Sequence, residues 1–257
     1  MKPSDHAVLP HHEAAAAMWG RGGRHYDDVS FAVSDALAHA AQRLNARAGE
    51  RILDVATGTG WSARNVARTG AVVTAVDISH ELLAAATDLS GHMRPAIEFR
   101  LADAERLPFA DGAFDGIIST FGVIFAVDQA RAAAELGRVC RPGGRLSLAT
   151  WASDGAVAEF FGVIAQHSDA PPPPSSPLRW GIRRMLRNFS GRPLIWNSNE
   201  ASATPTTAAR KMSGLGMHAA LGRCAGSPKA LLLRARRGSS AMSTPIISTT
   251  SCQLGST

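Results

Sequence analysis

The sequence predicts an α/β fold, a Rossmann-like doubly wound and mainly parallel sheet, from three observations. Short apolar runs of strand length alternate with helical stretches from about residue 30 to residue 151. Most of these runs read as buried throughout, as parallel strands covered on both faces do. The first run, in "RILDVATGTGWSARNVA" (51 to 67), feeds a Gly-x-Gly turn and then a helix. Right-handed crossovers then wind the sheet and place any ligand at the C-terminal ends of the strands.

The elements follow in order. Val33, Ala36, Leu37, Ala40, Ala41 and Leu44 define the apolar face of a helix over residues 30 to 47, with Ser30 or Ser34 as its cap and Gly49 as its end. "RILDVA" (51 to 56) is a buried strand, and a helix runs from Trp61 to Arg68, stopped by Gly70. "AVVTAVD" (71 to 77) is a second strand with an acid at its end. Ser79 caps the next helix, whose apolar face is Leu82, Leu83, Ala86 and Leu89, and Gly91 closes it. "AIEFRLAD" (96 to 103) and "FDGIIST" (114 to 120) are further strands, and Asp128 opens a helix ending near Cys140. "RPGG" turns the chain into "RLSLATW" (145 to 151), and "EFFGVIAQH" (159 to 167) is helical.

With 257 residues, 45% of them apolar, the chain can bury one sizeable core. No apolar run reaches membrane-spanning length and the first residues lack a signal peptide's apolar segment, so the expected setting is cytoplasmic. Three cysteines without ligand spacing, Cys140, Cys224 and Cys252, predict neither a disulfide framework nor a zinc site. The net charge of +6 is unevenly spread. Residues 1 to 180 hold 16 Lys and Arg against 20 Asp and Glu, whereas residues 181 to 257 hold 11 basic residues and one acid, Glu200. The basic character therefore belongs to the tail, and nucleic acid is not an expected partner of the folded part.

A strand, a Gly-x-Gly turn and a helix N-terminus set backbone N–H groups against a ligand that approaches closely because side chains are absent. Gly58 and Gly60 fill those places, and Asp77 ends the second strand where an acid suits a ribose diol. With Ala63 the turn also fits the dinucleotide pattern. Asp54 separates the two readings: a carboxylate at this strand end faces a pyrophosphate badly and a positively charged ligand well.

These residues resemble the class I S-adenosylmethionine-dependent methyltransferases, in the small-molecule branch similar to the ubiquinone and menaquinone biosynthesis enzymes. "ILDVATGTG" is similar to their first motif, "VTAVDIS" to the second, "LADAERLPFADGAFDGIIST" to the next two, and "RVCRPGGRLSLATW" to the helix, turn and fifth strand that follow. The resemblance covers roughly residues 12 to 180. It implies S-adenosylmethionine as cofactor, a small-molecule methyl acceptor, and a cofactor site made by Asp54, Ala56, Gly58, Gly60, Asp77, Ile78, Asp103, Ala104 and Thr120. Asp77 would hold the ribose, Ile78 would lie on the adenine, and Asp103 and Ala104 would flank it. Alternatives are a nicotinamide- or flavin-dependent oxidoreductase and a protein that binds S-adenosylmethionine without turnover.

No catalytic residue is assigned. His25, His80 and His167 are candidates for a base only as histidines, and His11 and His12 read as solvated with no metal expected. Tyr26, in "GRHYDD", is a candidate lid over the cofactor, while Pro142, Gly143 and Gly144 read as turn chemistry. The expected organisation is an N-terminal helical lid (1 to 48), a cofactor-binding methyltransferase domain (49 to 168), a proline-rich linker (169 to 180) and a basic tail (181 to 257). In the tail the periodicity fails and Ser, Thr, Arg, Pro and Gly dominate. This pattern reads as translation out of frame from near residue 181, since a shifted frame of "GIRRMLRNFSG" can encode an acidic, helix-forming continuation. A disordered basic tail and a nucleic-acid-binding extension are the other readings. On either of the first two the sheet would be incomplete at its C-terminal strands.

Overall fold

The computed structural model describes residues 7–168, 172–181, 194–202 and 246–254. Five parallel strands form the body of the sheet: β1 (Arg51–Val55), β2 (Val72–Asp77), β3 (Glu98–Leu101), β4 (Phe114–Thr120) and β5 (Cys140–Trp151). Their order is β3-β2-β1-β4-β5, so the chain winds outward from β1 in one direction and restarts at β4 in the other. That reversal opens a crevice between the C-terminal ends of β1 and β4, the place where doubly wound sheets bind ligands.

Consecutive strand residues point to opposite faces, and both faces are covered. Leu53 and Ile117 enter one core with Leu136 and Leu148; Ile52 and Ile118 enter the other with Leu44, Val66 and Val73. Burial on both sides is why β1 and β4 carry unbroken apolar sequence where a half-exposed strand would alternate. Helices α1 (Glu13–Gly20), α2 (Tyr26–Ala32), α3 (Ser34–Leu44), α4 (Trp61–Ala67), α5 (His80–Ser90), α6 (Gln129–Val139) and α7 (Ala156–Gln166) complete the layers. Two predicted caps are present: the Ser79 hydroxyl accepts from Leu82 N–H at 3.3 Å, and the Asp128 carboxylate accepts from Arg131 N–H at 2.9 Å.

Several boundaries differ from expectation. The helix read over 30 to 47 is two helices, broken at Val33, and it ends at Asn45 rather than Gly49. Asn45 takes a left-handed φ of 52°, which an asparagine tolerates nearly as glycine does. Strand β3 is shorter than read, because Asp103 leaves the ladder to bridge Arg106.

The expectation of an incomplete sheet is corrected by two antiparallel strands. β7 (Ile246–Leu254) pairs with β5 from Arg145 to Trp151, and β6 (Leu194–Ser202) pairs with β7. Ladder hydrogen bonds join backbones, so a stretch with β-branched residues such as "IISTTSCQL" can occupy this edge without a core-forming pattern. The remainder of the segment read as an aberrant tail lies outside the described residues. Within the expected linker, Pro177–Gly181 forms a single 3-10 turn that inserts Trp180, 1% exposed, into the core beside β5. The Gln129 amide donates to the carbonyls of Ile124 and Ser176, fixing this segment to the loop after β4.

Candidate functional site

All nine residues expected to hold the cofactor lie at or just beyond the C-terminal ends of β1 to β4. The turn after β1 is left-handed at three positions, Ala56 (φ 57°), Gly58 (φ 57°) and Gly60 (φ 86°). Across the crevice Phe121 is also left-handed, at φ 58°, and a Cβ on Gly122 would collide with the Cβ of Ala56. Two strained non-glycine residues facing each other at a switch point mark a site whose backbone geometry is held by its surroundings.

Asp54 is fully buried at the end of β1. Its Oδ2 accepts from the Thr57 hydroxyl at 2.7 Å, and its Oδ1 has no hydrogen-bond partner. Burial pushes its carboxyl up to about 7; the Thr57 hydroxyl and Ala63 amide oppose that shift, and the Asp77 charge adds to it. Asp77 is held by the turn: Gly58 N–H donates to Oδ2 at 2.8 Å and Ser79 N–H to Oδ1 at 3.0 Å. Burial raises its carboxyl as well, against the amides of Gly58, Ser79 and Ile78. Two buried carboxylates thus give the crevice a negative lining. Thr120, at the end of β4, shares a 2.8 Å hydrogen bond with the Ser62 hydroxyl at the start of α4. Ile78 and Ala104, following β2 and β3, are half-buried.

The N-terminal segment closes over these loops. The Tyr26 ring lies on the glycine turn, where a Cβ on Gly58 would come within 3.4 Å of Cε1. Burial pushes its hydroxyl up to about 12, with Asp77 adding to the shift. Asp27 accepts from the Thr59 hydroxyl at 2.8 Å and from Arg64 at 3.3 Å. Gly20 packs so closely on Ser79 and Glu81 that a side chain there would strike the Glu81 carboxylate. Trp19 stands edge-on to Tyr26 at 5.9 Å and against Phe125 at 5.1 Å.

Asp103 is fully buried, and the chain itself fills most of its acceptor positions. Its Oδ2 accepts from Leu9 N–H at 3.0 Å and His12 Nδ1–H at 2.7 Å, and its Oδ1 accepts from Glu105 N–H at 2.9 Å. Burial pulls its carboxyl upward, but these donors and the His12 charge outweigh burial and hold it below the ordinary range. His12 is therefore a correction to the sequence reading: it is 4% exposed rather than solvated, whereas His11 is exposed. His25, His80 and His167 are all exposed, and His167 bonds the Val163 carbonyl. Pro142, Gly143 and Gly144, read as turn residues, instead lie within the start of β5, where its pairing with β4 shifts register, and a Cβ on Gly144 would meet the Asp115 carbonyl. Sequence reasoning missed His12, Glu105, Asp27 and Arg64. The "DAE" spacing at 103 to 105 was the available signal, but nothing local ties it to a histidine some 90 residues earlier.

Fold and site together define a Rossmann-like methyltransferase fold. Residues 53–148 match the family model described as the methyltransferase domain. An uncharacterized protein of Mycobacterium tuberculosis is 36% identical over 182 residues, covering 68% of this chain and 64% of that relative. The demethylmenaquinone methyltransferase of Beutenbergia cavernae is 38% identical over 156 residues, or 57% of this chain and 63% of the relative. The chain thus spans just under two thirds of the length of these relatives. Among solved structures, the YcgJ protein of Bacillus subtilis aligns with a TM-score of 0.62 at 16% identity, over 87% of this chain and 99% of that one. The [4+2]-cyclase SpnF aligns with a TM-score of 0.64 at 21% identity, over 87% and 81%. These last two likenesses concern the fold.

Proposed function

We propose that this chain binds S-adenosylmethionine and transfers its methyl group to a small-molecule acceptor. The observation that carries the reading is Asp54: a fully buried carboxylate with an unpartnered oxygen, at the strand end beside the glycine turn. An ammonium group supplies the missing donor and the missing charge at once, whereas a pyrophosphate would meet two buried carboxylates, Asp54 and Asp77. Arg64, the cation nearest the turn, is committed to Thr59 and Asp27 and does not offset them.

On this reading Asp54 and the turn around Gly58 and Gly60 hold the amino-acid end, with Ala56 letting the backbone approach and Thr120 closing the far wall. Asp77 takes the ribose hydroxyls. Ile78 and Ala104 face the adenine, and Asp103 has one lone pair, on Oδ1, left to accept its amine. When bound, the cofactor supplies an activated methyl on a sulfonium, and displacement from it needs alignment more than it needs a base. The chain's own contribution is to hold both partners in line and, through Tyr26 and Trp19, to keep water out. The N-terminal lid (1 to 48), cofactor domain (49 to 168), linker (169 to 180) and C-terminal segment (181 to 257) belong to the same proposal, with the acceptor meeting the C-terminal ends of β4 and β5. A cytoplasmic setting belongs to the same proposal; among the described residues no helix is long and apolar enough to cross a membrane.

The test is calorimetric titration of the full chain with S-adenosylmethionine and, separately, NAD. Saturable binding of the first and none of the second is expected, and the reverse result sinks the proposal. Labelled methyl transfer then separates an enzyme from a protein that binds without turnover. The relative's name makes a demethylated quinone the first acceptor to try.

A further inference from the structure

His12 is the residue whose surroundings the sequence least foretells. It sits in a 3-10 turn ahead of α1 and is buried between two acids that follow β3. Its Nδ1–H donates to Asp103. Its Nε2 has two competing neighbours, each at 3.2 Å: the Val127 N–H, which requires a lone pair on Nε2, and Glu105 Oε1, which requires a proton there. The ring thus has one fixed partner and one that its protonation selects.

Resting on the cofactor reading above, we propose that His12 is a positioning residue. By pairing with Asp103 and Glu105 it fastens the N-terminal segment over the adenosine end of the pocket, and its proton sets how tightly that segment closes on the cofactor. Leu9 and His12 are anchored at the β3 loop, Gly20 at the β2 loop, and Tyr26 and Asp27 at the β1 loop. One continuous stretch therefore touches the β1, β2 and β3 loops of the cofactor site, and the His12 pairing is its anchor at the first of them.

The titratable groups around the ring are Asp103, Glu105 and His11, whose ring centroid is 4.4 Å away and whose Nε2 bonds Glu105 Oε2 at 2.9 Å. From α6, Asp128 offers its amide to Glu105 Oε1 while its carboxylate caps the helix. Burial lowers the affinity of His12 for a proton, but the Asp103 hydrogen bond and the two acidic charges outweigh burial and raise it. With a raised value in the docked segment, the latch is fully present below the ordinary histidine range and is lost as pH rises through the docked value. His11, His12 and Glu105 also place three potential ligand atoms within 4.8 Å of one another. The Asp128 amide already donates to Glu105 Oε1 in the same space, a bond that a metal ion on Glu105 would have to displace.

The experiment measures S-adenosylmethionine affinity of the full chain from about pH 5.5 to about pH 9. Wild type should show an acidic limb as Asp54 ionises and an alkaline limb, a roughly tenfold loss, as His12 gives up its proton. In His12→Gln the alkaline limb should vanish and the affinity should stay at the weaker level. In Glu105→Gln the limb should move to lower pH, and this variant carries the test if His12→Gln does not fold. An unchanged alkaline limb in either variant, or none in wild type, overturns the proposal. If wild type binds no S-adenosylmethionine at any pH, the cofactor reading fails, and trypsin cleavage at the exposed Arg21 and Arg24 becomes the readout. Protection lost with rising pH in wild type, and absent at all pH in His12→Gln, still supports the latch; equal cleavage of both overturns it.

Discussion

The ends of β1 and β3 carry two carboxylates in apparently equivalent settings, Asp54 and Asp103. Both are fully buried and both lie at the C-terminal end of a parallel strand, at the same edge of the sheet. Burial raises the first and fails to raise the second. The difference lies in where the donors come from. Asp103 receives three from the protein, two of them on the N-terminal segment, and both its oxygens are engaged, while Asp54 keeps an oxygen without a partner. A buried acid satisfied by its own chain is part of the structure; one left short is a position where a ligand completes the structure.

The sharpest test of that contrast is Asp54→Asn. Removing one partner of a buried charge pair costs about 3–5 kcal/mol. S-adenosylmethionine affinity should therefore fall by roughly two to four orders of magnitude. The empty protein should respond in the opposite sense. Because the folded Asp54 value of about 7 stands above its ordinary 3.8, its contribution to stability is fully present below the ordinary value and is lost as pH rises through about 7. Asn has no such loss, so above neutrality the unliganded variant should be more stable than wild type, by on the order of a few kcal/mol. A variant that binds normally would place the cofactor's positive charge elsewhere.

Proton release gives a second, smaller signal from the same residue. Near pH 6, Asp54 is mostly protonated in the empty site and ionises against an ammonium, so binding should release up to about one proton. Calorimetry in buffers of differing ionisation enthalpy measures this directly. Uptake of a proton instead would shift the dominant linkage to His12.

The contrast also shows which parts of the site were readable. Asp54, Gly58, Gly60 and Asp77 lie within one strand-turn-helix unit and the strand after it, so their spacing along the chain is nearly their arrangement in space. The alternation of buried strands and helices was readable for the same reason, since both faces of β1 and β4 must be apolar. The latch was not readable. His12 meets Asp103 only because α1 to α3 carry the N-terminal segment back across the strand ends, and no local pattern encodes a contact over 91 residues. The second failure came from the sheet edge: β6 and β7 are held by backbone pairing, which composition and periodicity do not report.

Asp103→Asn tests the other member of the pair and should invert the ranking. The amide keeps the shape but loses the charge facing His12, and its NH2 meets one of the donors that the carboxylate accepts. Stability should fall by about 1–3 kcal/mol whether or not cofactor is present, with roughly a tenfold loss of affinity. Thermal melts with and without ligand separate the two effects. A loss of affinity equal to that of Asp54→Asn, with an unchanged melting temperature, would make Asp103 a ligand group like Asp54 and dissolve the contrast.

Tyr26 probes the lid between the two acids and carries the smallest expected effect. Its ring covers Gly58, while its hydroxyl gains nothing by ionising, since burial and the neighbouring Asp77 hold it protonated up to about 12. The ring and the hydroxyl can therefore be removed separately. Tyr26→Phe keeps the apolar cover and should change affinity by less than about threefold at any pH below 9, a difference under ~1 kcal/mol. Tyr26→Ala exposes the glycine turn and should cost about tenfold, through faster release rather than slower association, because a lid restrains a ligand already bound. Stopped-flow binding distinguishes the two. If Phe and Ala lose affinity equally, the hydroxyl is the working part, and Tyr26 joins Asp77 in holding the ligand instead of only covering it.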